Sequence, residues 1–596
     1  MSNAHDIDVP VLIVGAGGAG LTASMLLSDL GVETLTISSA LTTSALPKAH
    51  VIQQRAMEVF RHAGVADDIY ARSAPPQNLA ATAWYAGLAG DDPDAGRRIA
   101  KQESWGAGGA DPEWLIASPC LQANLPQIRL EPVLRAHAES KSPGSIRFGQ
   151  ELVELTQDDS GVTARIQDKS SGETYTVRAQ YLLGCDGGRT VGRQVGVELE
   201  GMRDILYTAS VHFTADLSRW ATDPDVLIRW MWPPHVGLMS VLVPMGPERW
   251  GPDSEEWVYH HSYPGEDTRL WDDEKIIAGM RDALGIPDFA PEIHMITRWS
   301  FEALVAPQMR VGRVFLVGDA AHRHGPTGGL GLTTAIQDSR NIAWKLAAVL
   351  AGRAGDELLD TYEQERLPVA RRNVARSTEN AMHHLAIGGA MGLDPAATPE
   401  ANWANLRRVW SAAPGDAEFR RRIRDMIAVQ SQEFDEHNVE YGYRYESDAV
   451  VGDGTPAPRN VDEVRVYVPD TRPGSPVPHA WLTADDDSRL AIVDLIRPGE
   501  FILIADGADD RWNAAAADVQ AALGVVIRAV RIGHANGDYL DHRLSWLRRR
   551  GVSADGAVLV RPDGVVAWRT DGADDPEQSL RDAVSAVLSL RVPVAS

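Results

Sequence analysis

The segment Val11-Leu-Ile-Val-Gly15-Ala-Gly17-Gly-Ala-Gly20-Leu-Thr-Ala-Ser constrains this chain more than any other. Four apolar, mostly β-branched residues predict a buried parallel strand. Three glycines follow in the spacing G-x-G-x-x-G, and residues 20–30 predict a helix. Strand, tight turn and helix in that order form a dinucleotide-binding unit. Each glycine has its own task. Gly15 permits the turn, Gly17 lets a pyrophosphate approach the backbone, and Gly20 lets the helix pack against the strand. The helix N-terminus then turns free N–H groups and a positive dipole end toward phosphate.

Two later segments follow the same logic. Tyr181-Leu-Leu-Gly184-Cys-Asp186-Gly187 and Val314-Phe-Leu-Val-Gly318-Asp319 both end a predicted strand on a Gly/Asp pair. An aspartate there can accept ribose or ribityl hydroxyls, and the glycine lets a ligand close on the backbone. The stretch Pro326-Thr-Gly328-Gly329-Leu-Gly331-Leu332-Thr333 reads as a loop entering a helix over 334–350. Its N–H groups and helix dipole aim at one spot. The N1–C2 carbonyl edge of a flavin, anionic when reduced, suits such a spot. The second strand ends at Ser38 and Ser39, where a dinucleotide site usually has an acid for the ribose. Hydroxyls can bond there without charge.

At 596 residues the chain exceeds one ordinary domain. Its net charge of −25 argues against nucleic acid or an anionic membrane as partner. Two cysteines, Cys120 and Cys185, exclude a disulfide framework, a Cys-rich metal site and a C-x-x-C redox pair. No metal is expected, and the usage fits a reducing cytoplasm. Residues 9–27 are uncharged for about the length of a membrane span, but four glycines interrupt them and Asp6 and Asp8 precede them.

Residues 145–179 and 205–263 read as antiparallel strands. The second set carries Trp220, Trp230, Trp232, Trp250 and Trp257 and is read as the wall of an apolar pocket. Helices dominate 356–437, and Gly452-Asp-Gly-Thr-Pro-Ala-Pro reads as a linker. From about 460 onward strands and helices alternate.

On these motifs the chain resembles the class A flavin-dependent aromatic hydroxylases, in the branch of the dichlorophenol and hydroxybiphenyl monooxygenases. The shared segments are Gly318 to Leu332, Leu125-Pro-Gln127-x-x-x-Glu131-Pro132, Gly442-Tyr-Arg-Tyr445 and Thr471 to Leu482. The resemblance implies an α/β chain with a Rossmann-like FAD-binding domain over 1–75, 116–200 and 301–370. An antiparallel-sheet substrate domain over 76–115 and 201–300 is interleaved with it. A helical segment (371–455) and a thioredoxin-like domain without C-x-x-C (460–596) follow. It implies FAD, with NADPH or NADH as transient co-substrate, and O2. A flavin C4a-hydroperoxide would hydroxylate a phenol or hydroxypyridine ortho to its hydroxyl. The partner is thus a small aromatic substrate, in a catabolic or natural-product tailoring reaction, with homo-oligomerisation left open.

Carried over residue by residue, the resemblance makes His50 the base for the substrate hydroxyl, or else a histidine beside the flavin. It assigns Arg55 and Gln127 to FAD, Asp319 to its ribityl or pyrophosphate part, and Pro326, Gly331 and Leu332 to the reactive face. His322 and His324 are read as structural or flavin-contacting, and Tyr259 or His260 as alternative acids or bases. The chain departs from the pattern at four places: Lys48 for Arg, Thr190 for Ser, Thr333 for Asn, and Ser38–Ser39 for the acid. Two other readings compete. A flavin halogenase would need Trp-x-Trp-x-Ile-Pro, but Pro233 and Pro234 follow Trp230-Met-Trp232. A non-catalytic flavin-fold binding protein would have no use for the Gly328–Thr333 donors.

Overall fold

The computed structural model describes residues 7–263 and 265–590. Strand Ile7–Val14 lies inside the first sheet, with Val11, Leu12 and Ile13 wholly buried. It pairs in parallel with Thr34–Ser38 on one side and Thr174–Gly184 on the other. Thr174–Gly184 pairs in parallel with Val314–Leu316, and Thr34–Ser38 with Ile146–Phe148. A strand covered on both faces is apolar at every position, so the run shows no alternation. Helices Gly18–Asp29 and Leu330–Leu350 share its core. Strands Gln150–Asp158 and Gly161–Asp168 extend Thr174–Gly184 as an antiparallel flap.

The register matters more than the strand count. Val14 lies beside Gly184, and Gly184 beside Leu316. Three parallel strands therefore end side by side, and the turns that follow them meet at one sheet edge. Ligands of open α/β sheets bind at such carboxyl ends.

The second sheet runs, by neighbour, through His322–Arg323, Glu292–Val305, Glu200–Thr214, Glu256–Ser262, Ser240–Gly246, Val226–Met231, Ala81–Tyr85 and Arg98–Glu103. One of its faces packs Val211, Phe213, Trp257 and Tyr259 on helix Asp273–Leu284. The other buries Trp230, Trp232 and Trp250 against Ile387, Met391 and Phe434 of the helical segment. The expectation that these tryptophans wall a pocket is therefore corrected. They are core residues, because the helix Thr361–Met391 and its successors cover the face that the sequence left open.

The third sheet lies in the C-terminal part. Phe501–Asp506, helix Arg511–Leu523 and the parallel strand Ile527–Gly533 form a β-α-β unit. Ala557–Val560, Val566–Thr570 and helix Pro576–Val587 form a β-β-α unit whose first strand is antiparallel to Phe501–Asp506. Residues 452–459 before it are irregular and exposed, as a linker should be.

Buried charges join this part to the first. Arg561 donates to both oxygens of Glu365 at 2.5 and 2.9 Å, and Lys345 donates to Glu365 at 2.8 Å. All three side chains are fully buried. Burial alone would raise the Glu365 carboxyl, but the Arg561 and Lys345 charges hold it well below the usual range. Replacing Glu365 by Gln leaves Lys345 without its counter-charge and Arg561 with Asp563 alone. The expected loss is about 3–5 kcal/mol, read as a lowered thermal midpoint. An unchanged midpoint would show that the cluster does not hold the two parts together.

Candidate active site

The three glycines of the first turn do separate jobs. A Cβ on Gly15, at φ +115°, would lie 2.1 Å from the Cys185 carbonyl oxygen. One on Gly20 would lie 1.9 Å from the Gly15 oxygen. One on Gly17 meets nothing nearer than a Glu131 oxygen at 3.5 Å. Gly15 and Gly20 are thus fixed by the chain itself, and Gly17 faces room for a ligand.

Two helices begin at this edge without a side-chain cap, Gly18–Asp29 after Gly17 and Leu330–Leu350 after Gly329. Asp272, Thr398 and Asp575 cap their helices with side-chain oxygens, whereas Gln127–Lys141, Thr361–Met391 and Arg511–Leu523 also start without one, so it is the position of this pair at the strand ends that sets it apart. The uncapped pair leaves N–H groups for a ligand's phosphate and carbonyl oxygens. The two starts are packed together. A Cβ on Gly18 would come within 2.9 Å of Leu332 Cδ1, and one on Gly318 within 2.9 Å of the Ala335 methyl. The helix expected from 334 begins at Leu330, so Gly331, Leu332 and Thr333 form its first turn rather than a loop. Gly328 and Gly329, at φ +85° and +66°, make the bend before it.

The two strand-end aspartates differ. Asp186 Oδ1 accepts from Gly188 N at 3.1 Å, and Oδ2 accepts from Thr190 N at 2.6 Å and Val191 N at 2.8 Å. These three bonds shape the 187–191 turn. Asp319 is exposed and makes no such bond, so its carboxylate is available.

Other expected contacts are also spoken for. Arg55 is buried, donating to Glu58 at 2.5 Å and Tyr443 at 3.3 Å. Gln127 Nε2 donates to Glu131 at 2.5 Å, while Glu131 also accepts from Ser44 N. Thr333 Oγ1 accepts from Gln53 N at 3.3 Å, so its side chain faces the protein and its backbone remains for the flavin. Ser38 Oγ accepts from Ala40 N. Lys48 is exposed, and Pro326 is exposed at the bend.

The underside of the glycine bend was missed by sequence reasoning. Glu433 Oε1 accepts from Gly328 N at 2.9 Å, and its Oε2 pairs with His384 Nε2 at 2.7 Å. Gln53 Nε2 donates to Gly328 O at 3.2 Å. His384 stacks on Trp230 at 3.6 Å between ring centres. Burial holds the neighbouring Glu436 carboxyl well above its usual range, with Glu433 adding to the effect. A run of acids at 433, 436 and 440 was the available signal, but it reads equally as a solvated helix face.

His50 and His260 lie within electrostatic reach of each other. His50 Nδ1 bonds Asn124 Oδ1 at 2.6 Å, which assigns the proton to Nδ1 and the lone pair to Nε2. Burial lowers its pKa below the ordinary 6.5, against that hydrogen bond. His260 is pushed down to about 4 by burial and then by His50. Its Nδ1 bonds Ser210, which also accepts from Trp299. Tyr259 points the other way and bonds His261, because neighbours on a strand face opposite sides. His322 pairs with the buried Asp338 at 2.7 Å, and Asp338 with Arg366. Both nitrogens of His324 are shielded from solvent without a protein partner, beside Gly331.

These features fit FAD. An open glycine at an uncapped helix start suits a pyrophosphate, an exposed Asp319 carboxylate suits hydroxyls, and an orphaned His324 lies beside the second uncapped helix. Residues 8–377 match the family described as FAD binding domain, well over half of the chain. Residues 470–589 match the family described as aromatic-ring hydroxylase, C-terminal. The chain belongs to the FAD-dependent aromatic-ring hydroxylases. It is 34% identical over 595 residues to a 2,4-dichlorophenol 6-monooxygenase of Delftia acidovorans, covering 98% of this chain and 99% of that protein. It is 35% identical to a putative polyketide hydroxylase of Streptomyces halstedii, covering 98% and 97%. The solved flavin-dependent monooxygenase PieE, in complex with FAD and substrate, is similar at a TM-score of 0.92 and 36% identity, covering 98% of this chain and 100% of that one. This hydroxylase is accordingly a flavin-dependent aromatic monooxygenase that uses FAD, NAD(P)H and O2.

Removing the Glu433 carboxylate by E433A leaves Gly328 N–H and His384 without their acceptor. The loss of one charge-assisted hydrogen bond is expected to weaken FAD binding about tenfold. Flavin fluorescence titration checks this, and an unaltered affinity would show that the bend holds its shape without Glu433.

Proposed function

We propose that this hydroxylase oxidises a phenol or hydroxypyridine at the carbon next to its hydroxyl, with His50 as the base for that hydroxyl. The observation that carries this reading is the His50 ring, held at Nδ1 by Asn124 with Nε2 free and burial favouring the neutral form. Nε2 accepts the substrate's hydroxyl proton, and the phenolate pushes electron density into the ring. His260, held by Ser210, which Trp299 in turn bonds, is within electrostatic reach of His50 and would help hold the hydroxyl. When bound, FAD supplies the reducible ring that takes a hydride from NAD(P)H and activates O2. Asp319, Gly17 and the 329–333 backbone hold it, and Pro326 with Leu332 screens its reactive edge from water.

The 2,4-dichlorophenol 6-monooxygenase relative supports the phenol class and the ortho position. The polyketide hydroxylase relative supports a larger aromatic as the alternative. A halogenase is disfavoured, since Trp230 and Trp232 are buried core residues. A non-catalytic binder is disfavoured by the uncapped Gly329 helix. The β-α-β and β-β-α units and the lack of cysteine support a thioredoxin-like, non-redox C-terminal domain, with the remaining domains divided as the sequence motifs divide them. No described helix is long and apolar enough to cross a membrane, and we place the protein in the cytoplasm on its two unpaired cysteines.

The test is to follow NADPH and NADH oxidation with a panel of phenols and hydroxypyridines, measuring product and peroxide together. H50A is expected to retain FAD and to lose about 10²-fold or more in hydroxylation rate. Because the His50 pKa is lowered, the neutral base persists as pH falls through 6.5, and the acid limb of product formation lies below that value. The limb should vanish in H50A. Unchanged turnover in H50A would overturn the assignment.

A further inference from the structure

The Gly442-Tyr-Arg-Tyr445 motif and Arg55 meet in a small cavity away from the flavin edge, where the FAD-binding part meets the C-terminal part. Its lining includes Arg55, Gln337, Arg340, Tyr443, Tyr445 and Asp563. Its free space holds about one water-sized particle. Donors surround that space. Arg55 is 5% exposed, and its Nε has no partner, although its Nη1 and Nη2 are used by Glu58 and Tyr443. Arg340 Nη1 is shielded from solvent and has no partner. Tyr443 accepts from Arg55 and Tyr445 accepts from Arg366, which leaves both phenol hydrogens free to donate.

The acceptors on the wall are weak or occupied. Asp563 takes Arg561 on both oxygens, at 3.0 and 2.5 Å, and also Val565 N. Gln337 Oε1 is a neutral amide oxygen without a partner, and its amide can present N–H groups by turning over.

The charges do not balance either. Arg55 pairs with Glu58, while Arg561 and Lys345 share Glu365 and Asp563. Arg340 makes no ion pair among the described residues, so four cations face three carboxylates. Glu440 adds no negative charge near neutrality, because burial pushes its carboxyl up to about 8. Arg340 Nη1 is shielded from water with no carboxylate in contact; Asp563 and Glu58 reach it only through space, and the Arg55 guanidinium opposes them. A water would satisfy the N–H groups but leave the charge.

We propose that this cavity binds a single halide ion, held by Arg55 Nε, Arg340 Nη1 and the hydroxyls of Tyr443 and Tyr445. A space of this size excludes sulfate or phosphate, and a monatomic halide enters it with a small outward shift of the Arg340 side chain. The ion would fasten helix Leu330–Leu350 to the Asp563–Val565 turn, giving Arg340 the direct ion contact that it lacks among the described residues.

The FAD-loaded protein is equilibrated in sodium sulfate, and chloride or bromide replaces it at constant ionic strength. A saturable rise of a few degrees in thermal midpoint is expected with either halide, and none in R340Q. Crystals grown in bromide are expected to show an anomalous peak between Arg55 Nε and Arg340 Nη1. A water in that position overturns the proposal, as does a halide response that persists in R340Q. A peak without a saturable thermal response also overturns it, as binding at crystal concentration only. Should R340Q fail to fold, the wild-type anomalous map and halide titration decide.

Discussion

Close approach of backbone to backbone at one sheet edge is the constraint on which this molecule depends. Gly15 touches the carbonyl after Thr174–Gly184, and Gly20 touches Gly15. Gly318 sits against the methyls of Ala335 and Ala19, one from each uncapped helix. Any side chain at these places would push the helix starts apart. With them close, two positive helix ends lie near each other at the carboxyl ends of three parallel strands. The anionic and carbonyl parts of one cofactor can then be held by backbone alone.

Backbone donors of this kind need fixed geometry, and buried polar side chains supply it. Glu433 and Gln53 hold the two sides of the Gly328 peptide. His322, Asp338 and Arg366 form a fully buried chain behind the Gly318 turn, and Gly318 N donates to Asp338 at 3.1 Å. Glu365 ties helix Leu330–Leu350 to the last sheet through Lys345 and Arg561. That helix thus carries uncapped N–H groups at its start and, further along, the Lys345 charge that meets the last sheet through Glu365.

The motif glycines, the parallel strands, the antiparallel middle and the α/β end were all legible in the sequence. Each rests on a local rule: a run of apolar residues, a two-residue alternation, a glycine spacing. His50 came through resemblance, and its geometry suits a base. The sequence could not show how polar groups near the motifs are shared: Asp186, Arg55, Gln127 and Thr333 each bond neighbouring protein groups. The tryptophans of the middle sheet were read as a pocket wall because their cover arrives from residues 361–441, far along the chain.

The sequence by itself determined where the chain can bend tightly and which stretches are buried, since those depend on side-chain size and polarity within a few residues. Tertiary structure alone decided which polar atoms remain free. A carboxylate or guanidinium has the same composition whether it faces a ligand or a partner, and the choice is made by distant segments folding against it. Glu433 beneath Gly328, Asn124 beside His50 and Arg340 facing Arg55 across the last cavity are separated by tens to hundreds of residues from what they serve. No spacing rule spans such distances.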